Sequence, residues 1–542
     1  MRFSDPLLSA AILLLLAGTA SAQTEVTREQ AFAAMASIGL DGADGAAFTF
    51  AESRFDNGDI VFENVIVAGV GPEVNADSLS LDRDPKTPPP AGNGLVGGDL
   101  LIEEARFVAP RLDEAGDFDV EAVHLRGLVQ TSTTANESFE VESLLIEGMS
   151  DALADMVVMA ITRPSEDISE EMMEGQDIRL ARFEMNGMRA TGSDPQFTDM
   201  DFFIERIAID YDDTTRLGSG VMQNLVLSGR TAESGPIDIG MQEIRLDGLN
   251  SELIGQWASA LEAEDEQGFL ESYFETSMLR PQDLFSDFAI EGISLIGSGM
   301  IISLDELSMM NLRAGELNRS RTILDGLRLS PDADNPRGLM VSAALAQIGY
   351  ERLDLSGEFN NVYDVEAGRI WTEGENYYRL QDGFRIDFEA DLAGYDRLAE
   401  LMGASTQIDQ DDPQATQAFG AELLGALVLH RLSLSLTDEG ILDRVVANMS
   451  ASQQMSEEDV RAQLGWTTGT MAMGATQVFG TGPALQLNSA LVEFFANGGR
   501  LDIELEPQSP TSLGEMMQSD PKTGGIDLSS AGFSASYSNE SD

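Results

Sequence analysis

The chain has no cysteine, and this excludes disulfides, thiolate zinc sites, cysteine nucleophiles and a lipid-modified cysteine together. Only two histidines are present, His124 and His430, so no His-Glu-x-x-His metal spacing can form. Both fall in strand or helix-to-strand patterns and read as structural residues. Three tryptophans are too few for a sugar-stacking cleft. Lysine is confined to Lys86 and Lys522; every other basic residue is arginine. Against 32 basic residues stand 93 acidic ones, for a net charge of −61. Such a surface repels nucleic acid and anionic headgroups and attracts cations. Without a basic stripe there is no footprint for a phosphate backbone, so nucleic acid is not expected as a partner. No Gly-x-Ser-x-Gly elbow or phosphate-binding loop occurs. Gly69-Val70-Gly71 follows a strand pattern, but Pro72 and Val74 break the dinucleotide fingerprint. Ser519-Asp520-Pro521-Lys522 matches Ser-x-x-Lys, but Pro521 argues against the helix that motif needs.

Long apolar runs are also missing beyond the N-terminus, because Gly, Asp or Glu interrupts each of them; a spanning helix needs about 20 apolar residues. The N-terminus itself reads as a secretory signal. Arg2 supplies the basic region, Leu7 to Leu16 the apolar stretch, and Ala20-Ser21-Ala22 the small-residue cleavage site. The mature chain is therefore expected to start at Gln23, to be periplasmic or secreted, and to carry no transmembrane segment. Its length suggests two to four domains.

What is present is a recurring strand-like phrase: apolar, polar, apolar, polar, Gly, apolar. It occurs at Val65 to Val70, Val123 to Leu128, Leu144 to Met149, Phe183 to Met188, Ile244 to Leu249 and Phe288 to Ile293. Looser copies end at Gly229, Asn311 and Gly357. From Gly127 the intervals are 21, 39, 42, 19, 44, 19 and 46 residues, near one or two units of about twenty. Alternation within the phrase predicts a half-buried strand, and the Gly a turn, bulge or close backbone approach. The expected fold is mainly β (α+β): a stacked or meandering antiparallel β-repeat with helical insertions, plus a C-terminal mixed α/β module.

The expected organisation is a signal over 1–22, a β-repeat region over 23–393, a mixed module over 394–510 and a loosely held polar tail over 511–542. Thr24 to Leu40 reads as a helix, Asp82 to Gly98 as a Pro- and Gly-rich loop, and Ser150 to Glu174 as helical. Asn250 to Leu279 carries apolar residues at helical spacing. Helices are also expected over Tyr395 to Met402, Ala415 to Leu429, Gly440 to Ala451, from Ser456, and over Pro483 to Phe495. Strands are expected at Leu432 to Leu436 and Leu501 to Leu505.

With 93 acids, abundance hides any catalytic pair. Calcium is the more credible ligand, because hard cations take several oxygens from a flexible loop. Asp409, Asp411 and Asp412 form the candidate calcium loop; Asp210, Asp212 and Asp213, and Asp332 with Asp334, form weaker ones. None fits the twelve-residue calcium loop, and for each of them a solvated acidic turn is the favoured reading.

The repeated phrases in an exported chain resemble bacterial periplasmic β-repeat proteins of the AsmA-like type. Leu432 to Arg444 and Phe494 to Leu501 are similar to segments of proteobacterial periplasmic proteins. The resemblance implies a long curved sheet, a lipid-accommodating groove and a role in envelope maintenance. The expected function is thus a non-enzymatic envelope scaffold or binding protein for a lipid or a protein partner. The alternatives are a calcium-stabilised adhesion protein and a carboxylate-dependent hydrolase.

Overall fold

The structure is a computed structural model that describes residues 26–40, 48–68, 99–113, 116, 118–131, 138–150, 152–154, 157, 180–193, 197–212, 217–231, 235–262, 266–407, 413–516, 528 and 531–539. The fold is mainly β, with antiparallel strands and interspersed helices. The chain divides into two compact units, Met1–Gly255 and Gln256–Asp542.

The first unit begins with α1 (Arg28–Ser37), started by a capping box in which Thr27 and Gln30 satisfy each other's backbone amides. Strands β1 (Phe48–Thr49), β2 (Glu52–Asp56), β3 (Asp59–Val67), β4 (Leu100–Val108), β5 (Arg111–Leu112) and β6 (Phe118–Asp119) follow. Next come β7 (Ala122–Thr131), β8 (Ser138–Glu147), β9 (Arg182–Gly192), β10 (Phe197–Asp212), β11 (Leu217–Thr231) and β12 (Gly235–Asn250). Apart from the small β5–β6 pair, each strand hydrogen-bonds to the next along the chain: β1 and β2 to β3, then β3–β4–β7–β8–β9–β10–β11–β12, all antiparallel. The repeat is therefore a meander. Several strands run to 15 or 16 residues, far longer than the six-residue phrase that marks them. The expected helix over Ser150 to Glu174 and the loop over Asp82 to Gly98 lie almost wholly outside the described residues.

The second unit opens on the helical insertion expected between Asn250 and Leu279. It comprises α2 (Ser251–Glu262), whose first residues belong to the first unit, α3 (Glu266–Phe274) and a wider turn over Glu275–Leu279. Trp257 joins α2 to α3 by edge-to-face contacts with Phe269 and Tyr273 and by donating its Nε1–H to the Ser272 hydroxyl at 2.9 Å. Then follow β13 (Asp287–Gly297), β14 (Met300–Ala314), β15 (Leu317–Pro331), α4 (Pro336–Gln347), β16 (Leu353–Asp364), β17 (Arg369–Thr372), β18 (Tyr377–Leu380) and β19 (Phe384–Ala393). Helix α4 is absent from the sequence expectation, although Asn335 caps it and Pro336 starts it.

The C-terminal part holds α5 (Tyr395–Gly403), α6 (Pro413–Ala426), β20 (Val428–Asp438), α7 (Ile441–Gln453), α8 (Glu457–Phe479), α9 (Thr481–Asn497), β21 (Arg500–Leu505), β22 (Thr511–Ser512), α10 (Leu513–Met516) and β23 (Phe533–Ser538). Across the boundary expected near Gly394, β19 pairs with β20 over ten residue pairs, from Phe384↔Asp438 to Ala393↔Val428. The tail expected to be loosely held contributes β22, α10 and β23, and β23 pairs with β21 along its whole length. Phe533, Ala535 and Tyr537 alternate with serines, a short strand pattern that a polar average conceals. Met516 and Ala531 close over Leu429 in a buried cluster. Among the described residues no helix is long and apolar enough to cross a membrane.

Candidate functional site

Register builds the first unit's principal surface. Val65, Ile102, Leu128 and Val141 stand side by side on β3, β4, β7 and β8, and Met188, Ile204, Leu225 and Met241 on β9 to β12. A neighbouring row is Phe62, Ala105, Leu125, Leu144, Met185, Ile207, Met222 and Ile244. A further row runs Ile60, Phe107, Val123, Ile146, Phe183, Ile209, Gly220 and Leu246. All rows belong to one apolar face.

Between the first two rows every strand carries two polar residues instead of one, as at Glu63-Asn64, Glu103-Glu104, Arg126-Gly127 and Glu142-Ser143. Strict alternation would place the next apolar residue on the wrong side. A left-handed residue on every second strand restores the phase: Asn64 at φ 52°, Gly127 and Gly187 at 62°, Asn224 at 50°. The acid on the preceding strand lies over it. A Cβ on Gly127 would sit 2.8 Å from Glu103 Cβ, and one on Gly187 2.8 Å from Glu142 Cβ; Asn224 donates to the Glu205 carboxylate. The phrase thus has apolar residues at i, i+2 and i+5, and the register runs through its left-handed residue without a shift, because the facing strand carries an extra residue too. Its looser copies at Gly229, Asn311 and Gly357 stay outside the left-handed region.

The opposite face is an arginine–carboxylate ladder. Arg54 meets Glu63 at 3.2 Å, Arg106 meets Asp59 at 2.9 Å, and Arg189 grips Asp201 at 2.6 Å and 2.9 Å. Glu184 sits between Arg182 and Arg206. Its partial burial favours the neutral form, but hydrogen bonds from both arginines and Asn186 outweigh that and hold its pKa below the ordinary value. The continuous apolar rows lie on one face, while Ile66, Leu101 and Val226 stand exposed among the charges of the other.

Cover on that apolar face is uneven. Over β3 to β8 the residues Ala31, Ala34 and Met35 of α1 seal it, and Ile60, Phe62, Val65, Ile102 and Phe107 are almost fully buried. Leu153 and Leu180 continue the seal onto Phe183, Ile207 and Ile209. On β11 and β12 the same rows (Met222, Leu225, Leu227, Ile239, Met241, Ile244) are only half-buried and belong to no buried cluster among the described residues. This strip is the candidate site. Six residues of each strand give it a length of about 20 Å. The second unit repeats the arrangement. Ile293–Leu304 and Ile290–Leu307–Leu324 are apolar rows on β13 to β15, the left-handed residues are Gly292 and Gly326, and Asp305 lies over Gly326.

The expected calcium loop of Asp409, Asp411 and Asp412 lies outside the described residues, as do Asp213, Gly69 to Gly71 and Ser519 to Lys522. Asp210 meets Arg182 at 3.6 Å and borders a cavity of about 150 Å³ with Ser219, Arg245 and Asp247. Asp332 accepts the Asp334 amide at 3.1 Å in the turn before α4. Among the described residues no three His, Asp or Glu side chains come together as a metal site would require. His124 is exposed on β7, and His430 is half-buried on β20 in the other unit.

A larger cavity, about 890 Å³, lies between α8 and α9 and is lined by Glu458, Arg461, Trp466, Thr470, Asn488 and Val492, among others. The sequence reading placed both helices but missed the groove. The overlooked signal is the uncharged run from Ala462 to Val492, which supplies Trp466, Thr470, Asn488 and Val492 to its lining.

A family model described as "Uncharacterized protein" matches residues 377–530, under a third of the chain. No curated protein matches the chain.

Proposed function

We propose that the protein is a non-enzymatic binding protein of the cell envelope that holds an apolar ligand, an acyl chain, on the half-covered strip of its sheet. The carrying observation is that one continuous apolar face is sealed over β3 to β8 and left half-buried over β11 and β12. A large apolar patch that is not fully covered marks an interaction site in soluble proteins. Arg245, Glu243 and Asp247, paired at 3.4 Å and 3.5 Å, lie on the opposite face of β12 and leave the strip itself uncharged. The similarity to AsmA-like periplasmic proteins and the signal-like N-terminus support the same reading.

Native mass spectrometry of the chain purified from its own host tests this. Wild type should carry a lipid-sized adduct. The pair Leu225→Glu and Met241→Glu should lose it, with unchanged circular dichroism, because burying unpaired carboxylates against an acyl chain is costly. A wild type free of adduct, or an adduct that survives both substitutions, refutes the reading.

A further inference from the structure

From Ala462 to Val492 the chain has thirty-one residues without one Asp, Glu, Lys, Arg or His, although 23% of the whole chain is charged. This run forms most of the α8–α9 hairpin. The helices run antiparallel: Arg461 donates to the Ala496 carbonyl at 3.2 Å, and Gly465 lies against Val492. The chain reverses at Gly480, whose φ of 81° suits a residue without Cβ. Ala490 and Phe494 of α9 are buried with Leu442 and Leu501, so α9 is the inner helix and α8 the outer one. The charges gather at the base. Ser456 caps α8 ahead of Glu457, Glu458 and Asp459, Arg461 pairs with Asp443, and Glu493 lies in the last turn of α9. Above that base Trp466 is 75% exposed and Leu485 56% exposed, and Trp466 is the most exposed large apolar residue described.

We propose that this hairpin docks on the interface of an uncharged, zwitterionic lipid surface. Charge decides the occupant. A second copy would bring two chains of −61 together, and an anionic membrane would repel the same field. A neutral lipid interface meets no such barrier, and the hairpin presents it a face without carboxylates. Tryptophan, with an apolar ring and one N–H, is suited to the headgroup level. Neither helix is apolar enough to span, so the contact is interfacial. The hairpin belongs to the second unit, and its lipid contact stands or falls independently of a ligand on the first unit's sheet.

The test uses the full chain with phosphatidylcholine vesicles, read by co-flotation and by tryptophan fluorescence. Trp257 is buried and Trp371 half-buried, so a blue shift reports chiefly on Trp466. Wild type should float with the vesicles and shift to the blue. Trp466→Phe should float without the shift, and the pair Trp466→Asp and Leu485→Asp should bind at least about tenfold more weakly. Both sites are exposed, so folding should survive, which melting confirms. Adding phosphatidylglycerol should weaken binding at low salt, and salt should restore it, as the Debye length falls from about 30 Å at 0.01 M to about 10 Å at 0.1 M. Three results would each overturn the proposal: no flotation; a shift retained in Trp466→Phe; or self-association that the aspartate pair abolishes while vesicles bind nothing. Binding that rises with phosphatidylglycerol would also refute it.

Discussion

Replacing Gly127 by alanine tests the row of left-handed residues that keeps the first unit's apolar face in phase. Gly127 holds φ at 62°. A side chain there costs about 1–2 kcal/mol in backbone strain. The new Cβ would meet Glu103 Cβ at 2.8 Å. Both atoms are fixed to strand backbone, so β4 and β7 must separate, and overpacking of this kind costs about 1–3 kcal/mol. The sum is about 3 kcal/mol, or about 6–12 °C in midpoint for a unit of this size. Thermal unfolding followed by circular dichroism reads it directly. Two controls separate the terms. Gly220→Ala lies in the same sheet, outside the left-handed region, and its Cβ would meet nothing closer than 3.9 Å. It should be neutral or raise stability by about 0.4–1 kcal/mol. Gly127→Asn should cost less than alanine, because Asn64 and Asn224 already occupy this row at φ 52° and 50°. The reasoning fails if Gly127→Ala melts within about 2 °C of wild type, or if Gly220→Ala costs as much.

Glu184→Gln should lower stability at neutral pH by about 1 kcal/mol, since two arginines lose a charged partner. Its folded-state pKa lies below the ordinary 4.5, so its stabilisation is complete above that value and is lost as pH falls through the folded value; the difference between variant and wild type in urea unfolding should vanish in that acid range. In the C-terminal tail, Ala531→Asp should destabilise the second unit severely, because Ala531 is 0% exposed against Leu429 and Met516 and no cation faces it in that cluster. A melting curve like that of wild type would show that the tail does not pack as described.

Much of the architecture was legible in the chain because each element carries a local signal. The Ser456 cap, the helical spacing around Trp257 and the alternation from Leu432 to Leu436 each reappear in place. Helix α4 and strand β23 were not read. The first is short and uncharged beyond Arg337, and the second is half serine. The glycine-ended phrase was recognised, and the close approach expected at its Gly is found at Gly127 and Gly187, but its place in the register was not legible. Alternation and a one-residue slip look alike over six residues, and only the partner strand reveals which residue shares a face. The candidate strip was illegible for a related reason. Leu225 and Met241 have the same pattern as Leu125 and Ile102, and the positions of α1, Leu153 and Leu180 separate sealed rows from a half-covered one.

Residue types and their order determined by themselves the strand-rich fold, the acidic surface, the absence of thiol chemistry and the uncharged stretch after Arg461. These depend on local propensity, composition and periodicity. Tertiary structure alone decided that the strands form a meander, that acids and left-handed residues align across it, and that among the described residues cover stops short of β11 and β12. Those outcomes depend on register and packing between segments far apart in sequence, where a single residue's shift turns a side chain to the other face.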